Sequence, residues 1–217
     1  AGQPVYEDFG EENIAVAAVP RIGETVFCAW NASPGEVVCA ALMRSGRHYS
    51  VLRDWAVGGP VLDAARTIAL ELRADFRRAR LETYVPAELH DSWSRIALVP
   101  ALRELKFTPF RAEHLAAARG ALAELMRTTG RMRRTLTVDK NAKNTINALA
   151  GGYKYAVAPG GRQAPEPEPG ISRLTAEALE SLMSVLQKGV ADSAPAGANY
   201  GLNPQGTRYM TALPNRR

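Results

Sequence analysis

Residues 25–30 read TVFCAW, a short apolar run rich in β-forming side chains, bounded by Gly23 and by Asn-Ala-Ser-Pro-Gly. A run of that length suits a central strand buried on both faces. Residues 36–44 (EVVCAALMR) and 48–57 (HYSVLRDWAV) have the same character, and Ser45-Gly46 marks a tight turn between them. Three such runs joined by short turns predict an antiparallel meander. The period then changes. Val61, Ala65, Ile68, Leu72 and Phe76 recur at steps of three and four, which predicts an amphipathic helix over 61–79, opening after Gly-Gly-Pro.

Downstream, 80–85 (RLETYV) predicts a fourth strand stopped by Pro86. Trp93, Ile96, Ala97 and Leu105 suggest a second helix, broken or restarted around Pro100. A brief fifth strand is expected at 105–110, a third helix at 112–127, an edge strand at 134–138 and a short helix at 143–150. Residues 158–170 (APGGRQAPEPEPG) read as loop, because that density of Pro and Gly cannot continue a helix or central strand. A long helix follows over 172–190, with Leu174, Leu179, Leu182, Met183 and Leu186 on one face and Ser172 as its N-cap. Residues 1–20 read as an extended lead-in. The expected domain is 1–190, and 191–217 reads as a flexible or loosely docked tail. A strand–helix–strand crossover makes the fourth and fifth strands parallel to their neighbours. The fold class is therefore α/β: a mixed sheet, helices on both faces, in a ribonuclease-H-like order with strands arranged 3-2-1-4-5.

Composition narrows the function classes. At 217 residues the chain can bury one good core. No apolar run approaches the roughly 18 residues of a membrane span, and no leader pattern opens the chain. It does not begin with Met, so we expect a fragment of something longer. Cys28 and Cys39 fall on adjacent strands and are expected as a buried reduced pair. The single, scattered His48, His90 and His114 argue against zinc. A net charge of +5 favours a polyanionic partner. Its arginines cluster as Arg73, Arg77, Arg78 and Arg80, and as Arg127, Arg131, Arg133 and Arg134. Cations closing a helix can equally complement its dipole, so DNA contact and solvated surface both stay open for them. Trp30, Trp55 and Trp93 are expected as core anchors. Gly151-Gly152-Tyr153-Lys154 lacks the spacing of a nucleotide-binding loop, so no ATPase site is expected in this chain.

Several strings, taken in order, resemble the nuclease domain of the large terminase of tailed phages and prophages. GQPVYEDF resembles the segment that opens that domain, and FCAWNASPG its first strand, which runs to Trp-Asp. YSVLRDWAV resembles the third strand, YVPAE the fourth strand's Asp-Pro-Ala, and NALAGGYKY a late Gly-Gly-Tyr turn. SRLTAEALESL is similar to the closing helix, commonly Ser-His-X-X-Asp-Ala-Leu-X-Tyr. The match runs from residue 2 to 188.

The resemblance implies phosphodiester hydrolysis assisted by two divalent ions, Mg2+ or Mn2+, about 4 Å apart. Hard ions want carboxylates, converging from the first and fourth strands and the last helix. This chain departs from that pattern at the acids themselves. The first-strand position is Asn31, the fourth-strand position Val85, and the last-helix position Glu177, the one clear metal-ligating carboxylate. Asp91, in the loop after the fourth strand, could swing inward and makes a third candidate catalytic residue beside Asn31 and Glu177. Glu82 should point to the face opposite Val85, and Asp54 stands where the family has an acid that could be structural.

Weak or absent cleavage is therefore expected. The resemblance further implies double-stranded DNA, a terminase ATPase domain, small terminase and portal as partners. It implies no membrane, and the host cytoplasm during phage assembly as location. Arg73, Arg77, Arg78, Arg131, Arg133 and Arg134 are the candidate DNA contacts. The alternative is a non-catalytic ribonuclease-H-like scaffold for DNA or for portal and motor. A third possibility is an unrelated basic domain whose strings match by chance.

Overall fold

Turn chemistry and alternation produce the expected meander, and each strand runs slightly beyond its apolar stretch. The computed structural model describes residues 3–17, 19–91, 94–126, 135–157 and 163–192. Two short strands open the chain, β1 (Gln3–Pro4) and β2 (Ile14–Ala15), and then come β3 (Thr25–Ser33), β4 (Glu36–Ser45) and β5 (His48–Gly58). Helix α1 (Val61–Asp75) leads to β6 (Arg80–Val85), α2 (Ala87–His90), α3 (Leu98–Glu104) and β7 (Pro109–Arg111). Next are α4 (Leu115–Ala118), α5 (Ala123–Met126), β8 (Leu136–Asp139) and α6 (Lys143–Asn147). A π-helical turn (Ala148–Gly152), β9 (Lys154–Val157), β10 (Gln163–Pro167) and α7 (Ile171–Asp192) complete the described residues.

The main sheet has seven strands in the order β2-β8-β5-β4-β3-β6-β7. Its middle five, β5-β4-β3-β6-β7, are the expected 3-2-1-4-5 arrangement. β3–β4 and β4–β5 are antiparallel, and β3–β6, β6–β7 and β5–β8 are parallel. Each face carries its own core. Val26, Cys28, Trp30 and Ala32 of β3 pack with α1 and α3, whereas Ala29 and Phe27 pack with α7. Trp30 is fully buried against Phe107, and Trp55 meets Phe76 edge-on. Trp93 lies outside the described residues. Cys28 and Cys39 are buried free thiols, and burial pushes the Cys39 thiol up.

The departures from expectation have local causes. Helix α1 ends at Asp75 rather than 79, because Phe76 leaves helical geometry to pack on Trp55. The helix expected over 112–127 is two short ones, interrupted at Gly120, whose φ is +86°. The fifth strand starts only at Pro109, since Phe107 N–H turns back to Leu102 O and closes α3. β8 is not an edge, because β2 pairs outside it. Within 158–170, the described part contains β10, antiparallel to β9 with an irregular register. Pro165 and Pro167 are tolerated there because an outer strand leaves one row of N–H positions without ladder partners. Helix α7 opens at Ile171, after Gly170 rather than on Ser172 as cap, and Leu174 N–H bonds Gly170 O.

Gly151 and Gly152 set the turn between α6 and β9. Gly151 has φ +118°. A Cβ on Gly152 would lie 2.5 Å from both Asn147 O and Ser172 Oγ, so the turn can seat against α7 only because that residue has no side chain. Gly152→Ala is expected to destabilise the protein by about 1–3 kcal/mol, as overpacking does. A denaturant midpoint equal to that of the parent chain would show that the turn is free to shift.

Candidate functional site

The closing helix crosses β3 with its first turns over the strand's far end, and this brings Asn31 to α7. Asn31 is buried. Its Nδ2 donates to Leu174 O at 3.2 Å, and its Oδ1 accepts the Ala32 N–H at 2.8 Å. The amide thus bonds the protein at both ends. An aspartate here would turn a second oxygen towards the Leu174 carbonyl and lose the donor. One turn further along α7, Glu177 is 4% exposed and accepts from Arg173 Nε at 2.8 Å. Burial raises the Glu177 carboxyl above its ordinary range, and the Arg173 guanidinium opposes that shift. Arg173 also donates to Pro167 O at 3.1 Å and to Glu166 Oε2 at 3.0 Å, tying β10 to α7.

Asn31 and Glu177 thus meet the same helix one turn apart, but Val85 does not join them. In the parallel register Ala29 sits beside Tyr84. Alternation then sends Val85 to the same side as Trp30, into the core under α1 and α3, where it is fully buried. Of the three positions that the resemblance implies converge, Val85 therefore lies on the opposite face of the sheet from Asn31. Glu82 does lie on the α7 side, but beside Phe27, four residues and about 13 Å back along the strand. It is engaged by Arg80 at 3.1 Å and Tyr84 Oη at 3.3 Å. Asp91 closes α2, where Arg111 Nε donates to its Oδ1 at 3.1 Å. Asp54 is structural: it accepts from Asn144 Nδ2 at 3.1 Å and from the Thr145 N–H, capping α6 from across the sheet. Burial raises its carboxyl, and those donors oppose the rise.

Sequence reasoning missed Glu180. It is fully buried, and its Oε1 accepts from Tyr6 Oη and from Gly120 N–H at 2.8 Å, with Tyr153 Oη 3.5 Å from Oε2. One carboxylate therefore joins the lead-in, the α4–α5 break, the Gly-Gly-Tyr turn and α7. Desolvation pushes it up to about 7, against the pull of the Tyr6 and Gly120 donors. The available signal was a charge on the apolar stripe, next to Leu179 and three residues before Met183.

No family model matches the sequence, and no curated protein matches it. Solved structures do. The large terminase nuclease of thermophilic phage G20c with bound magnesium superposes at TM-score 0.53 and 15% identity, over 85% of this chain and 98% of that one. The fold is that of a large terminase nuclease domain. The P22 large terminase nuclease domain agrees at TM-score 0.55 and 9% identity, covering 86% of this chain and 92% of that one. The large terminase of a second thermophilic bacteriophage gives a TM-score of 0.63 at 11% identity, over 86% of this chain. This chain spans 46% of that larger protein, under half its length.

The nuclease fold therefore carries, among the described residues, no cluster of donors at the positions named here. Among the described residues no three His, Cys, Asp or Glu side chains are grouped to share a metal. The Asn31 amide is bonded to helix and strand, and the Glu177 carboxylate carries a guanidinium. Of the candidate DNA contacts, Arg131, Arg133 and Arg134 lie outside the described residues. Arg73 donates to Leu105 O and stacks 4.5 Å above the Phe107 ring centroid, a contact that holds α1 to α3. Arg77 and Arg78 are exposed beyond the end of α1. No helix among the described residues is long and apolar enough to cross a membrane.

A carboxyl whose pKa is higher folded than unfolded holds its proton more tightly in the folded state. For Glu180 the resulting contribution to stability is complete below about pH 4.5 and is lost as pH rises towards 7. Glu180→Gln is therefore expected to remove part of the decline in stability between pH 5 and 8, by roughly 1–3 kcal/mol at the alkaline end. Melting temperatures measured across that range check it, and parallel curves for both proteins would refute the buried-carboxyl account. Asn31→Asp should cost about 1–3 kcal/mol, because a buried carbonyl loses its donor. Equal stability of that variant at pH 8 would contradict the role given to the amide.

Proposed function

We propose that this chain is the nuclease-type domain of a large terminase. It works on double-stranded viral DNA during genome packaging and grips the duplex more than it cuts it. The observation that carries the reading is the fold, matched over nearly the whole of the G20c and P22 nuclease domains. Magnesium is bound in the G20c protein. In this chain the equivalent chemistry would fall to Asn31, Glu177 and Asp91, with Glu177 as the member of that set on α7.

The bonding of the Asn31 amide to Leu174 O and the Arg173–Glu177 pair favour the second reading within the same fold, a non-catalytic DNA or portal and motor scaffold. Divalent ions bind where negative charge is uncompensated, and here a guanidinium already neutralises the carboxylate. An ATPase domain, a small terminase and a portal are the partners this role calls for. The setting is the host cytoplasm.

A nuclease-derived domain keeps its hold on DNA through cations, which act on phosphates whether or not a metal cleft survives. Sequence-independent duplex binding is expected, at about 1–100 µM near physiological salt. Arg133→Ala combined with Arg134→Ala should lower the salt slope by about two. Binding that is flat with salt, or a slope untouched by the double change, would leave those arginines as solvated surface. Plasmid incubated with Mn2+ or Mg2+ should show trace nicking or none. Two tight Mn2+ sites by calorimetry, together with linearised plasmid, would overturn the weak-cutting reading.

A further inference from the structure

The lead-in is fastened to the body at two places. Its far end is held to β8 by the β2 pairing, by Asn13 Nδ2 donating to Leu136 O at 3.1 Å and by Ala17 N–H donating to Asp139 Oδ2 at 2.8 Å. Its near end is held by the short pairing of β1 with β9, by Val5 N–H donating to Tyr153 O at 2.9 Å, and by Tyr6. Between the two, Glu7, Asp8, Glu11 and Glu12 are exposed. The near fastening can therefore part while the far one stays closed, since local openings follow the weakest contacts.

Tyr6 is the strongest part of the near fastening. Its ring is buried, with its centroid 6.0 Å from that of Tyr153, and its hydroxyl donates to Glu180. The groups that face the Glu180 carboxyl come from four segments. They are Tyr6 from the lead-in, Arg119 and the Gly120 N–H from the α4–α5 break, Tyr153 from the Gly-Gly-Tyr turn, and Glu177 from α7 itself. Tyr155 stands close to both tyrosines. Arg119 is the cation of this set, it is exposed, and the Glu177 carboxylate acts against it. An ionised Glu180 therefore has hydrogen-bond donors around it but little compensating charge.

We propose that Tyr6 and Glu180 form a latch, which releases residues 3–6 from α7 and β9 when Glu180 gives up its proton to solvent. With the latch shut, desolvation pushes Glu180 up to about 7, and in water the carboxyl returns to its ordinary 4.5. The shut form thus holds the proton more tightly. Below pH 4.5 both forms are protonated, and pH has no influence on the latch. Between 4.5 and 7 closure weakens as pH rises, and above 7 both forms are ionised and the dependence ends. The Tyr6 and Gly120 donors favour the carboxylate and temper the release, but desolvation is the larger effect. The latch stands on packing at α7 and does not rest on the reading as a terminase domain.

The test follows amide hydrogen exchange by NMR in the whole isotope-labelled chain between pH 5 and 8.5, with the intrinsic base catalysis of exchange divided out. Val5 is the reporter, because its N–H bond to Tyr153 O belongs to the shut form, and Cys28 and Trp30 in β3 report unfolding of the whole domain. Val5 is expected to exchange faster than the β3 amides. Its opening equilibrium should rise about tenfold between pH 6 and 8 and then level off. Glu180→Gln keeps an acceptor for Tyr6 and Gly120 but cannot ionise, so opening should become independent of pH. Tyr6→Phe keeps the ring and loses the donor, and should raise opening about three- to tenfold at every pH. If Glu180→Gln fails to fold, the pH profile of the parent chain and the Tyr6→Phe protein decide the matter. A latch is ruled out if Val5 opening does not change with pH, or if the change survives in Glu180→Gln. It is equally ruled out if Val5 exchanges no faster than Cys28 and Trp30, or if Tyr6→Phe leaves it unaltered.

Discussion

Burial of β3 on both faces is the constraint to which the other elements answer. A strand with solvent on one side can slip by a residue and lose little, but a strand between two cores cannot. Val26, Cys28, Trp30 and Ala32 are committed to the α1 layer, and Phe27, Ala29 and Asn31 to the α7 layer. The parallel ladder to β6 carries the same assignment across, which is why Tyr84 faces α7 and Val85 does not. The antiparallel ladder to β4 pairs Asn31 with Val38 and fixes how far α7 lies from the strand end. A site built on β3 therefore inherits its geometry from packing.

Much of this was legible from hydrophobic period alone. The meander, α1, β6 and α7 are long, strongly patterned segments, and each was placed within a few residues. What stayed hidden depends on tertiary partners. Gly120 breaks a helix because its N–H is needed by Glu180, sixty residues on. The β9–β10 pair forms in a proline-rich stretch because a neighbouring strand and Arg173 hold it there. The candidate site divides in the same way. Matching strings brought Asn31 and Glu177 to one helix but carried Val85 to the wrong face, because a string gives order and says nothing of which side a residue takes. Glu180 is invisible to periodicity because the apolar side chains around it already make the helical pattern.

The polar groups around α7 share a theme of neutralisation. A two-ion cleft concentrates negative charge and leaves it open to solvent. Here the β3 position is an amide bonded at both ends, the α7 carboxylate is covered by a guanidinium, and the next carboxylate is sealed under two tyrosines. Each arrangement is internally satisfied.

The bond between Tyr6 and Glu180 spans 174 residues of chain. The meander is made of neighbours in sequence and can assemble as soon as it is synthesised, whereas this contact must await the last helix. Closing so long a loop costs only slightly more than closing a shorter one, since the entropy grows with the logarithm of length. The delay is the larger consequence. Until α7 arrives, the second face of β3, β4 and β5 is only partly covered by the elements that precede it, and apolar sheet surface stays exposed. The lead-in around Tyr6, made long before its partner, is therefore among the last segments to find its place.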